Sequence, residues 1–190
     1  MNEAMKQARL FGEEEPTVLT KLELAKAQII TKQVESLVKP ICNKLEVVGS
    51  IRRCKPIVGD VDFVAVATEE GWAKITQVLR KTNVICAGKS VIKLNYLFEK
   101  SLFQVDFYRS TNQTFGIQKL IRTGSAEHNM WLAGYALSKG FRLKYSEGLI
   151  KDEAAVAGVT EESVCTALNL QCPEPQFREI INGKPIWLKQ

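Results

Sequence analysis

Residues 49–63 read GSIRRCKPIVGDVDF, and two carboxylates, Asp60 and Asp62, stand one residue apart inside an apolar run. In an extended strand residues i and i+2 share a face, so both carboxylates project together while Val61 and Phe63 turn into the core. Like charges side by side repel, and a hard cation held between them relieves that repulsion. The later stretch LFQVDFY repeats the alternation, with Phe103, Val105 and Phe107 inward and Gln104, Asp106 and Tyr108 outward. If the two strands are neighbours, Asp106 becomes a third carboxylate beside the pair. Oxygen-only ligation by three carboxylates suits Mg²⁺, which usually completes its octahedron with water and phosphate oxygens. Two such ions roughly 3.5–4 Å apart stabilise the attacking and leaving oxygens of phosphoryl or nucleotidyl transfer. Upstream, Gly49-Ser50 offers backbone N–H groups and a hydroxyl to a phosphate, and Arg52-Arg53 adds guanidinium groups that can grip phosphate oxygens in pairs. Taken one at a time, the carboxylates read as solvated residues of a strand face, and Arg53 as readily as a surface ion pair; the combination points to phosphate chemistry.

These residues need a sheet to hold them. Apolar positions from Thr17 to Val38 recur at helical spacing and stop at Lys39-Pro40, which predicts one long amphipathic helix. LEVVGS and VDFVAVA read as strands, the second buried. A helix over Glu70 to Lys81 follows, with Trp72, Ile75, Val78 and Leu79 on one side, and SVIKLNYLFEKSLFQVDFY gives two strands turning at Glu99-Lys100-Ser101. Beyond residue 110 the character changes. FGIQKLIRTGS predicts a short helix and tight turn, and Ala126 to Lys139 a helix with Ser125 as N-cap and Gly140 as its stop. FRLKYSEGLIK predicts a hairpin, and Thr160 caps a short helix led by Glu161 and Glu162 and closed by Pro173 and Pro175.

The composition, 45% hydrophobic and 25% charged over 190 residues, is that of a globular chain. No run approaches the roughly 20 apolar residues of a membrane span, and the acidic, polar start does not read as a signal peptide; the expectation is an intracellular protein without a membrane partner. Five cysteines without a CxxC pair and a single histidine, His128, leave a structural zinc site short of ligands. The net charge of +5 permits nucleic-acid contact without demanding it.

GSIRR, GDVD and FQVDF together resemble the palm of family X DNA polymerases, within the nucleotidyltransferase superfamily. RTGSAEHN, GFRLKYSEGLI and GVTEESVCTALNLQCPEPQFRE resemble their thumb, so the likeness spans about residues 17 to 180. The resemblance implies an α+β fold: a polar tail over 1–16, a palm of mixed sheet and flanking helices over 17–112, and a small α+β thumb over 113–190. It also implies the minimal form of the shortest viral members, without the lyase (8-kDa) domain. Asp60, Asp62 and Asp106 are then the metal-binding catalytic carboxylates for two Mg²⁺ ions, with Mn²⁺ as a substitute, and Asp106 activates the primer 3′-hydroxyl. Ser50, Arg53 and Gly59, with Gly49, correspond to triphosphate-binding positions. Gly124 and Ser125 match the backbone that approaches the sugar, at a bond that can be cis in relatives. Asn129 matches the residue that meets the incoming base. Where relatives place a Tyr-Phe pair before TGS, this chain has Ile121-Arg122, which puts Arg122 beside the nucleotide sugar and opens its discrimination to change. Ala133 stands where many relatives have a template-contacting arginine.

The implied activity is template-directed addition of a deoxynucleotide to a primer 3′-end in short gaps during repair, by a monomer whose partners are gapped or primer-template DNA and a dNTP. The alternatives are a template-independent or RNA-tailing nucleotidyltransferase and a non-catalytic module that binds DNA ends. His128 is expected to pack or to touch DNA backbone, Trp72, Trp131 and Trp187 to lie in the core or an interface, and Lys21, Lys93, Lys119, Lys139 and Lys144 to be candidate phosphate contacts on an otherwise solvated surface.

Overall fold

The computed structural model describes residues 21–79, 82–99 and 101–188. The chain enters with a two-residue strand β1 (Leu22–Glu23) and helix α1 (Leu24–Val38). The predicted helix therefore begins later than its periodicity suggested, because Leu22 and Glu23 pair with Val58 and Ile57, while Thr17–Thr20 lie outside the described residues. Ala27, Ile30, Val34 and Val38 form the buried stripe of α1, and a 3-10 turn at Lys39–Ile41 carries Pro40 where the helix stops.

Strand β2 (Lys44–Val47), a four-residue helical turn α2 (Gly49–Arg52), β3 (Ile57–Val58) and β4 (Asp60–Val66) follow. Helix α3 (Glu69–Val78) opens on Thr68, whose hydroxyl accepts from the Gly71 N–H at 3.0 Å, with Glu69 and Glu70 in its first turn. It is shorter than the predicted span, whose last residue, Lys81, lies outside the described residues. Strands β5 (Thr82–Ala87), β6 (Val91–Phe98) and β7 (Ser101–Arg109) complete a five-stranded mixed sheet in the order β2-β4-β7-β6-β5. Only β4 and β7 run parallel; the other three pairings are antiparallel.

One face of this sheet is dry. Val61, Phe63, Phe103, Val105, Phe107, Ile92 and Leu94 pack with the stripe of α1 and with Trp72, Ile75 and Leu79. Phe63 and Phe107, directly paired in register, stack at 5.1 Å. Burial of this many apolar side chains, each worth about 1.5–3 kcal/mol, fixes which way the alternation points. The carboxylates are thereby turned to the other face.

That other face meets the second half of the chain. Helix α4 (Phe115–Thr123) packs against β4, where Val64 and Val66 are buried outside the first cluster. Helix α5 (Ala126–Ser138) is capped by Ser125, whose hydroxyl accepts from the His128 N–H at 3.3 Å. An antiparallel sheet of β8 (Arg142–Lys144), β9 (Gly148–Lys151) and β10 (Ala154–Ala157) adds a third strand to the predicted hairpin. Helix α6 (Glu161–Ala167) carries a capping box between Thr160 and Ser163. It ends at Ala167, ahead of Pro173 and Pro175. Ile117, Leu120, Leu132, Ala136, Leu149, Val164 and Leu168 form a second buried cluster. Two short strands, β11 (Ile180–Ile181) and β12 (Lys184–Pro185), close the described chain. Among the described residues no helix is long and apolar enough to cross a membrane.

Candidate active site

The parallel register of β4 and β7 sets Asp62 opposite Asp106 and Asp60 opposite Gln104. The three carboxylates thus lie on two adjacent strands of one sheet face. Asp106 is not solvent-facing as its outward position suggested: it is 1% exposed, because its own neighbours roof it. Lys93, directly across the antiparallel pair with β6, places Nζ 2.5 Å from Asp106 Oδ2. The Tyr108 hydroxyl donates to the same oxygen at 3.2 Å, and Gln104 Nε2 donates to Oδ1 at 3.0 Å.

Asp60 and Asp62 are left with less compensation. Burial, and then the charges of Asp60 and Asp106, push the Asp62 carboxyl up to about 7. Burial and Asp106 raise Asp60 as well, against the opposing pull of Lys93 and Arg53. Asp62 leans over α2: a Cβ added at Gly49 would fall 2.2 Å from Asp62 Oδ2, and Gly49 has φ +66°. Glycine here lets the carboxylate lie against the backbone. Among the described residues no group of three or more His, Cys, Asp or Glu side chains is gathered as a metal-ion site.

The expected phosphate-binding positions cluster beside this face. Ser50 and Arg53 sit on and just after α2, a helical turn rather than the bare strand end expected from Gly49-Ser50. Arg53 Nη1 donates to the Thr123 carbonyl and lies 3.2 Å from where a Cβ on Gly124 would be. Burial lowers the Arg53 guanidinium from its ordinary value, while Glu179, Asp62, Glu127 and Asp60 raise it. Ser50 Oγ, Arg53 Nε and Arg122 Nε are buried without a hydrogen-bond partner among the described residues. Unmet donors of this kind around three carboxylates fit a ligand that is both anionic and cation-bearing. Gly59 is exposed, with open space around its Cα.

Arg52, read with Arg53 as a phosphate cation, is committed elsewhere. Its Nη1 donates to Thr123 Oγ1 at 2.7 Å and Glu161 Oε1 at 2.8 Å, and its Nη2 to Glu161 Oε2 at 2.5 Å. Arg178 Nη1 donates to Glu161 Oε1 at 2.8 Å from the other side. This buried triad, which joins residues more than a hundred positions apart, carries no local sequence signal.

The Gly124–Ser125 peptide is cis, at the bond the resemblance singled out. Ser125 spends its hydroxyl on the α5 cap. Asn129 donates from Nδ2 to the Ile121 carbonyl at 2.7 Å, which fixes α5 to α4. Arg122 lies over the Tyr108 ring at 3.8 Å and approaches Tyr145 at 5.7 Å, so it reaches Asp106 through one aromatic ring. His128 is 1% exposed, packed 5.0 Å from the Trp187 ring, and burial followed by Arg178 lowers it to about 4. It is a neutral packing residue. Trp187 meets Trp131 edge-on at 5.8 Å, and Trp72 is a core ring donating to the Gly88 carbonyl at 2.9 Å. Of the lysines, Lys93 belongs to the carboxylate face and Lys144 pairs with Glu147 at 3.0 Å. Tyr108 and Gln104 escaped attention as site residues, although their spacing of two from Asp106 placed them on its face.

The family model described as the DNA polymerase beta thumb matches residues 119–179. Among curated proteins no match is found. Residues 119–179, from the middle of α4 to the residue before β11, are therefore a family X polymerase-like region within a mixed α+β protein.

Proposed function

We propose that the chain is a template-directed DNA polymerase that adds a deoxynucleotide to a primer 3′-hydroxyl by two-metal nucleotidyl transfer, in short-gap filling. The observation that carries this is the β4–β7 register, which sets Asp62 opposite Asp106 beside a region similar to a polymerase thumb. On this reading residues 17–112 are the catalytic palm and 113–190 the thumb that brings DNA and nucleotide to it.

Asp60, Asp62 and Asp106 would hold two Mg²⁺ ions, or Mn²⁺ in their place. When bound, these ions supply charge neutralisation to the 3′-oxygen and to the triphosphate and departing pyrophosphate. The elevated Asp62 and Asp60 carboxyls support the fit, since carboxylates that burial and mutual repulsion disfavour are those a cation stabilises most. The chain's own groups do the rest. Ser50 and Arg53 present unmet donors to the triphosphate. Asp106 would take the proton of the attacking hydroxyl. The Gly124–Ser125 backbone and Asn129 line the approach of sugar and base, and Arg122, stacked on Tyr108, replaces an aromatic wall with a cation. Catalysis on this plan rests on positioning and electrostatics.

Primer extension on a one-nucleotide-gapped duplex with Mg²⁺, offering each deoxynucleotide and ribonucleotide singly, tests this reading. Template-matched incorporation is expected in the wild type, with loss to background in Asp60→Ala. Turnover retained by Asp60→Ala removes the two-metal assignment. Equal addition of every nucleotide replaces the polymerase by a tailing nucleotidyltransferase.

A further inference from the structure

Asp106 is the most enclosed of the three carboxylates, yet its contacts are unequal in kind. Its side chain is 2% exposed, whereas that of its ion-pair partner Lys93 is 39% exposed. Gln104 and Tyr108 hold the carboxylate from its own strand at 3.0 and 3.2 Å, while Lys93 reaches it from β6 at 2.5 Å. The lysine is therefore the outer partner, able to return its ammonium to water without disturbing the sheet, and the carboxylate has no such freedom. A monovalent cation on a flexible stem thus already pairs with Asp106 Oδ2.

We propose that Lys93 is an internal counter-cation that a divalent ion must displace from Asp106, so that metal binding is an exchange of cations and not a simple addition. This inference rests on the metal-site reading above. An ammonium and a divalent ion cannot share one carboxylate oxygen without strong like-charge repulsion. The lysine fixes Asp106 before the metal arrives and gives it up once the metal is bound. It is a positioning residue, and its release turns an ammonium outward from the site face.

Two measurements test it on the full chain. In ¹⁵N–¹H spectra of lysine side chains, the Lys93 ammonium, assigned by its loss in Lys93→Arg, is expected to be ordered and slow to exchange without metal. It should regain the mobility of a free lysine at saturating Mg²⁺. Mn²⁺ affinity followed by the electron paramagnetic resonance of the free ion is expected to rise about tenfold or more in Lys93→Gln and to stay near wild type in Lys93→Arg. An ammonium unchanged by Mg²⁺, or a Lys93→Gln affinity equal to wild type while Asp60→Ala and Asp106→Asn lose Mn²⁺, overturns the exchange and leaves the metal site standing. Mn²⁺ binding unaffected by Asp60→Ala and Asp106→Asn overturns both.

Discussion

Replacing Glu161 by alanine removes the centre of a hydrogen-bonded ion cluster that ties α2, beside the carboxylates, to α6 and the segment after it. Glu161 is 4% exposed and Arg178 1% exposed. Burial alone would raise the Glu161 carboxyl, but hydrogen bonds from Arg52 and Arg178 hold it below its ordinary range. Two guanidinium groups converge on this one carboxylate, at 2.5–2.8 Å. In Glu161→Ala, Arg52 keeps Thr123 and partial access to water, while Arg178 keeps only the Pro173 carbonyl, at 3.1 Å. A buried charge stripped of its partner costs about 3–5 kcal/mol, a large share of the roughly 5–15 kcal/mol that stabilises a typical protein. Glu161→Ala is thus expected to lower the urea unfolding midpoint strongly by circular dichroism. Arg178→Met combined with Glu161→Leu should recover much of the loss, because an apolar pair leaves no buried charge on that side. A Glu161→Ala protein within about 1 kcal/mol of wild type would mean the triad behaves as a surface ion pair and would refute the reasoning.

Two further perturbations follow from the geometry. His128 titrates near 4 when folded against about 6.5 unfolded. Between those values only the unfolded chain takes the proton, so stability falls as pH drops from about 6.5 to 4, by roughly 3 kcal/mol. Asp62, raised when folded, changes stability in the opposite sense over much of that window. The measured quantity is therefore the difference between wild type and His128→Phe in denaturant titrations at several pH values; parallel pH profiles would contradict the assignment. Gly116→Ala should be strongly destabilising, because its Cβ would fall 2.2 Å from the Thr160 backbone at the cap of α6, whereas the Cβ of Gly134→Ala meets nothing within 4 Å. Thermal unfolding should show the first variant below wild type and the second unchanged or about 0.5–1 kcal/mol more stable.

Much of the site was legible because it depends on period-two alternation. Val61 and Phe63 had to be buried, so Asp60 and Asp62 had to share the other face. The same rule put Asp106 with Gln104 and Tyr108. The caps at Ser125 and Thr160 were readable from residue type, since their hydroxyls answer a purely local need of the helix start. Lys93, expected as a phosphate contact, pairs instead with Asp106, and this too was legible: with Phe98 paired to Ser101, counting back along both strands brings Lys93 opposite Asp106. Strand β1 was misread as helix because its apolar spacing suits either state, and its pairing partner lies more than thirty residues away.

The sequence by itself determined which faces the acids occupy, where the helices capped by Ser125 and Thr160 start, and that a Gly-Ser turn and a basic pair lie just upstream of Asp60 and Asp62. All of these follow from interactions within a few residues. Only the tertiary structure decided that β4 lies parallel to β7, that Arg52 turns away to Glu161 while Arg53 turns to Thr123, and that Asp106 is enclosed. Parallel pairing and buried ion pairs join distant segments, and alternation says which way a side chain points but not what it meets there.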